Sequence, residues 1–253
     1  MVVSNILRTF ALVMRVLYED NHIIIVYKES GEIVQGDKTG DEPLSETVKQ
    51  YIKDKYQKPG AVFLGVVHRL DRPVAGLVVF ARTSKALSRL NNMFRDGEVH
   101  KTYWAIVGKS HEKDADWHTL ENWLVRNEQQ NKSYAYDHEV PHSKKAVLRY
   151  RQIGQSDRYS LLEVNLMTGR HHQIRCQLSA MGFPIKGDLK YGAKRSNPDG
   201  SISLLARRIE FVHPVSKEHI IVESPLPADP LWQTVSRNTL SLQVEETFKT
   251  PEL

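Results

Sequence analysis

Residues 66–82 read VVHRLDRPVAGLVVFAR, and this stretch constrains the fold more than any other. Its two ends are apolar and rich in Val and Leu, the character of strands. Between them His68, Arg69, Asp71 and Arg72 crowd into a turn ahead of Pro73 and Gly76. Charge in that number between two strands does not build a core. A carboxylate flanked by guanidinium groups is favoured in its charged form. Held in a cleft by strand ends, it serves as a base or a nucleophile. On residue types alone, the simpler reading is a charged surface turn with no chemistry.

At 253 residues the chain is long enough for one substantial core, and 40% hydrophobic with 26% charged residues is ordinary for a globular protein. The formal net charge of +5 permits a polyanionic partner such as RNA without requiring one. The single cysteine, Cys176, has no internal disulfide partner, which fits a reducing cytoplasm, and we read it as a small buried hydrophobe. No apolar run reaches the length of a bilayer. The opening MVVSNILRTFALV is interrupted by Asn5 and Arg8 and carries no small-residue cleavage site, so it is not read as a signal peptide. We divide the chain into an N-terminal extension (1–14), a single catalytic domain (15–240) and a C-terminal tail (241–253).

Residues 15–27 read as two short strands around the turn formers Glu19, Asp20 and Asn21. Residues 28–40 are irregular and punctuated by glycine. A helix is expected over 45–58, with Ser45 as its cap and its lysines on a solvated face. Residues 84–95 predict an amphipathic helix, with Leu87, Leu90, Met93 and Phe94 on one face and Gly97 ending it. KTYWAIVG (101–108) predicts a strand with Tyr103 and Ala105 on one side, Trp104 and Ile106 on the other. The polar region 109–145 is expected to be a hairpin with long loops or an insertion. Strands follow at 148–153 and 159–166.

A second cluster, MTGRHHQIRCQ (167–177), combines a Thr168-Gly169 turn, where glycine is free to take positive φ, with a helix over 173–181. On that pattern His171 and Arg175 share a helix face. The adjacent histidines His171 and His172 raise a metal site, but no further ligand stands at a suitable spacing, and a cap or an RNA contact is the expected role. FPIKGDLKYG (183–192) leads into a basic loop with Lys186, Lys190, Lys194 and Arg195, which suits phosphate contacts or mere solvation equally. SLLARRIEFVHP (203–214) is the last core segment.

His68-Arg69-Leu70-Asp71, followed by Pro73 and Gly76, resembles the HRLDxxTSG signature of pseudouridine synthases of the RluA-like family. The three downstream segments are similar to that family's TGRTHQIR, hPIxGDxxYG and LHAxxLxFxHP motifs, in the same order. Departures are Val74 and Ala75 for Thr-Ser, His171 for Thr and Leu205 for His. The opening Lys28-Glu29-Ser30-Gly31 also lacks the proline of the family's Lys-Pro-x-Gly. The Leu205 departure is expected to touch RNA contacts rather than chemistry.

The resemblance implies an α+β fold: a mixed, mostly antiparallel central sheet flanked by helices and loops, with the active-site cleft across the sheet. It implies isomerisation of specific uridines in structured ribosomal or transfer RNA, in the cytoplasm, by a monomer with no cofactor and no metal. By motif position, Asp71 acts at the glycosidic bond, Tyr103 stacks on the flipped uracil, and Arg175 pairs with the carboxylate. Arg69 fills the vacated stack, with His68, Arg72, Arg170 and His172 as further substrate contacts and Ile174 or Leu204 as an apolar floor. Family members often carry a small N-terminal RNA-binding module, and none is expected here. Two rivals are a non-catalytic RNA-binding protein of the same fold, and a hydrolase built on His68, His172 and Asp71.

Overall fold

The computed structural model describes residues 14–37, 39–109 and 115–237. The expected N-terminal extension, but for its last residue, and the C-terminal tail lie outside the described residues. Strands β1 (Arg15–Glu19) and β2 (Ile23–Lys28) form the hairpin expected from residues 15–27. Asp20 closes its turn through Oδ1, which accepts the backbone N–H groups of His22 and Ile23.

Helix α1 (Leu44–Lys55) follows, but Ser45 does not cap it. The helix starts one residue earlier, behind Pro43, because Leu44 is drawn into the core; Ser45 is buried and its N–H donates to Val34 O at 3.2 Å. Strand β3 (Gly65–Val66) is shorter than the apolar run around it, whereas β4 (Ala75–Ala81) is buried along its whole length. Helix α2 (Ser84–Asp96) begins at Thr83, whose hydroxyl accepts from Ala86 N–H, and ends at Gly97 in the left-handed region, as expected.

Strands β5 (His100–Gly108), β6 (His118–Asn127), β7 (Lys132–Tyr136), β8 (Lys144–Gln155) and β9 (Tyr159–Leu166) come next. The polar region 109–145 is thus a β6–β7 hairpin, with residues 110–114 outside the described set. Helix α3 (Gln173–Ala180), a 3₁₀ turn at Leu189–Tyr191, strands β10 (Leu204–Val212) and β11 (His219–Glu223) and helix α4 (Pro230–Arg237) complete the chain. Among the described residues no helix is long and apolar enough to cross a membrane.

The strands join in the order β1-β2-β4-β10-β5-β9-β8-β6-β7, with β3 also on β4 and β11 also on β10. The sheet is mixed and mostly antiparallel, as the resemblance implied; among the described strands only β4 and β10 pair in parallel. Both faces are covered near β2 and β4. Val78 and Phe80 join Leu44, Val48 and Ile52 of α1 on one face, while Leu77, Val79 and Ala81 meet Ala86, Leu90 and Met93 of α2 on the other. A strand buried on both faces reads as a continuous apolar run rather than an alternating one, which is why this region stands out in the sequence. Further along, Tyr103 and Ala105 enter the first cluster, and Ile106 and Trp104 pack with Trp232 and Val235 of α4.

The parallel seam depends on one glycine. Gly76 faces Ala206 with φ +122°, and a Cβ there would lie 2.4 Å from Ala206 O. That neighbour is backbone and has no rotamer by which to yield. Gly76→Ala is expected to destabilise the protein by about 4 kcal/mol, seen as a melting midpoint lower by about 10 °C. A midpoint within two or so degrees of wild type, on the order of 0.5 kcal/mol, would show that the seam tolerates a side chain.

Candidate active site

The turn between β3 and β4 has its backbone tied down carbonyl by carbonyl. Asp71 O accepts from Val74 N–H, Arg72 O from Gly31 N–H and Pro73 O from Ile202 N–H. The ammonium of Lys28, at the end of β2 and fully buried, donates to the carbonyls of Glu29, Arg72 and Val74 at 3.0, 3.1 and 2.7 Å. Burial pushes the Lys28 pKa down to about 8, a cost the three carbonyls offset by solvating the charge. The result is a rigid platform for the Asp71 side chain, which is 30% exposed.

Arg175, on α3 and 104 residues further along the chain, reaches this carboxylate: its Nη1 donates to Asp71 Oδ2 at 2.9 Å. Its Nε and Nη2 donate to the two carboxylate oxygens of Asp188 at 2.7 and 2.9 Å. Asp188 is almost wholly buried. Burial opposes the guanidinium charge, but the paired hydrogen bonds to Asp188 and the attraction of both carboxylates outweigh it, and the Arg175 pKa is raised. The guanidinium also lies over the Tyr191 ring, 5.1 Å from its centroid. Asp188 therefore anchors Arg175, and Arg175 aims Asp71.

Tyr103 occupies the middle of β5, opposite Ala206 and Val164, in the apolar cluster that holds Leu70, Val74, Ile174 and Leu204. Burial first, and the Asp71 carboxylate second, raise the pKa of its phenol, so the ring is a neutral phenol beside that carboxylate. Asp71 is approached by both Arg175 and His172, and Tyr103, Ile174 and Leu204 belong to one apolar cluster. Arg69 is exposed, and among the described residues none pairs with its guanidinium.

Other expected contacts are engaged elsewhere. Arg72 binds Asp41 at 2.6 Å and Thr39 Oγ1 at 2.9 Å. His68 stacks on Phe94 with ring centroids 4.9 Å apart and accepts the Val79 N–H at Nε2. Burial lowers its pKa to about 3, so it is a neutral brace between the turn and α2. Arg170 is exposed, with Nε on Lys145 O at 2.9 Å. In the basic loop, Lys190 donates to the carbonyls of Gln130 and Asn131, and Lys186 to Asn197, while Lys194 and Arg195 are exposed.

Three sequence expectations are corrected here. Positive φ falls on His172 (φ 52°) and not on Gly169, because Gln173 holds the turn open by accepting from Thr168 Oγ1 and Arg170 N–H. His171 precedes α3 and shares no helix face with Arg175; its ring stacks on His172 at 3.7 Å and reaches Ser133 and Asn131. Leu205 is fully buried on the opposite sheet face with Ile106 and Trp232, so its departure from the family pattern affects packing rather than RNA. Lys28, Asp188 and Tyr191 were not singled out as site residues. A lysine closing an all-apolar strand is the available signal for Lys28, and the register of GDLKYG with the hPIxGDxxYG motif is the signal for the others. Among the described residues no group of three or more His, Cys, Asp or Glu side chains is placed to hold a metal.

A mixed sheet with a parallel seam, and a carboxylate at that seam gripped by an anchored arginine beside a buried tyrosine, defines a recognisable class. The chain belongs to the RNA pseudouridylate synthase family, which matches residues 22–180. It is 32% identical over 219 residues to ribosomal large subunit pseudouridine synthase C of Vibrio cholerae, covering 84% of this chain and 66% of that protein. It is 33% identical over 230 residues to ribosomal large subunit pseudouridine synthase D of Nitrosomonas europaea, covering 87% and 64%. The chain thus spans about two thirds of the length of these curated relatives. Among solved structures, human RNA pseudouridylate synthase domain containing 4 shares the fold at TM-score 0.70 and 20% identity, over 91% of this chain and 94% of that one.

Proposed function

We propose that this protein isomerises uridine to pseudouridine in structured RNA, and that Asp71, Tyr103 and Arg175 carry the reaction. The observation that carries the reading is the Arg175 guanidinium bonded to Asp71 and to the buried Asp188 at once. In this isomerisation the N1–C1′ bond breaks and a C5–C1′ bond forms; C5 loses a proton and N1 gains one, so no atom is imported. Cleavage builds positive character on the sugar, which a carboxylate beside it stabilises or captures. Asp71 takes that role. The neutral ring of Tyr103 stacks on the uracil, and its hydroxyl relays the proton that leaves C5.

A base in folded RNA must leave its stack to reach such a site, at a cost of a few kcal/mol. The exposed guanidinium of Arg69, which pairs with none of the described residues, is suited to filling the gap and holding backbone phosphate. The relatives named for the large ribosomal subunit favour ribosomal RNA as the substrate class, with transfer RNA second, and the cytoplasm as the place of action.

The test uses ribosomal and transfer RNA transcripts carrying tritium at uracil C5, from which pseudouridine formation releases label to water. Wild-type protein is expected to release tritium from at least one of them, and release from neither would remove the proposal. Tyr103→Phe is expected to keep the stack but slow release by about 10²-fold or more. Release at the wild-type rate would reduce the hydroxyl to packing.

A further inference from the structure

Every hydrogen bond and ion pair that reaches the Asp71 side chain from a described residue ends on Oδ2. Arg175 Nη1 stands 2.9 Å from that oxygen and His172 Nε2 stands 3.5 Å from it. Oδ1 receives no donor among the described residues. Two nitrogens approach one oxygen, and among the described residues none bonds to the other, which is an asymmetric use of a symmetric group.

The hydrogen-bond chain behind His172 accommodates a ring proton on Nε2. Ser133 N–H donates to Tyr191 Oη at 2.8 Å, so that oxygen is already an acceptor. Its own hydrogen is available for His172 Nδ1, 3.0 Å away. Burial raises the Tyr191 pKa, which keeps the hydroxyl a donor, and lowers that of His172 to about 3, which keeps the ring neutral. A neutral imidazole that accepts at Nδ1 carries its hydrogen at Nε2, and Nε2 is the atom aimed at Asp71. The ring is held in this plane by the stacked His171, which is itself bonded to Ser133 Oγ and Asn131. The left-handed backbone at His172 is a conformation a β-carbon disfavours, and such conformations gather at working sites.

We propose that His172 is a positioning residue: it donates from Nε2 to Asp71 Oδ2, shares that oxygen with Arg175, and thereby leaves Oδ1 as the oxygen presented to the nucleoside. The separation of 3.5 Å is long for a hydrogen bond without substrate, and catalytic hydrogen bonds commonly tighten when substrate fills the site. The inference rests on the reading of Asp71 as the reacting carboxylate. It adds which oxygen reacts, and a chain running from strand β7 through Tyr191 and His172 to that carboxylate.

Two measurements test it. Nitrogen-15 NMR of the wild-type protein, which needs no activity, is expected to show His172 with its proton on Nε2; a proton on Nδ1 overturns the proposal. Single-turnover rates are then compared for His172→Phe, which keeps the stacked ring without a donor, and His172→Gln, which keeps a side-chain N–H of similar reach without the ring. The Phe variant is expected to lose about 10²-fold in rate with RNA affinity unchanged, the scale on which a misplaced reacting group acts. The Gln variant is expected to recover at least half of that loss on a logarithmic scale. A Phe variant as fast as wild type, or a Gln variant as slow as Phe, overturns the donor role. Absence of pseudouridine with the wild-type protein, together with an Nε2 proton, would instead refute the reaction and leave the donor arrangement standing.

Discussion

Asp71→Asn is expected to fold, to bind RNA and to form no detectable pseudouridine, a loss of at least about 10³-fold or about 4 kcal/mol of transition-state stabilisation. The substitution preserves shape: an amide oxygen still accepts from Arg175, and Arg175 keeps both bonds to Asp188. The turn itself is held by main-chain bonds from Gly31, Val74 and Ile202 and by Lys28, none of which touches the side chain being changed. What disappears is the negative charge, and with it the means of stabilising or capturing a developing cation at C1′. Thermal unfolding within about 1 kcal/mol of wild type is the accompanying expectation. Tritium release within tenfold of wild type from a variant verified by mass would end the assignment of Asp71.

Arg175→Met is expected to cost both activity and stability, and the stability loss is the more informative. Asp188 would be left buried with neither of its carboxylate oxygens paired by a described residue. Removing one partner of a buried ion pair destabilises by about 3–5 kcal/mol, because the other charge remains where water cannot reach it. For a domain of this size that lowers the melting midpoint by roughly 10 °C. The double variant Arg175→Met with Asp188→Leu removes the stranded charge and is expected to regain much of the stability while remaining inactive. Urea unfolding of the two variants separates the effects. A single variant as stable as wild type would end the anchoring role assigned to the Arg175–Asp188 pair.

Several elements were legible because short-range rules decide them. The helix expected over 84–95 shows its apolar face and its glycine stop within fourteen residues or so, and each is read at a distance of a turn. Strand β5 shows which side Tyr103 takes because alternation is a property of the strand alone. The start of α1 is not legible locally: Ser45 has the right chemistry for a cap, whereas burial of Leu44 sets the boundary. Likewise the turn before α3 was assigned to Gly169 on propensity, and the Gln173 side chain moved the strained residue to His172.

By itself the order of residues determined the family, the identity of the acidic residue and most strand and helix positions, since motifs and periodicity act over a few residues. Only the tertiary structure decided that Asp188 stands behind Arg175, that Lys28 holds the turn carrying Asp71, that Arg72 and His68 are engaged in bracing, and that Leu205 faces away from Asp71 and Tyr103. The side-chain bonds among them span 11 to 44 residues of sequence, and the Arg175–Asp71 bond spans 104. The parallel pairing of β10 with β4 joins the two halves of the sheet, and local propensity holds no information about which distant strand will occupy that place.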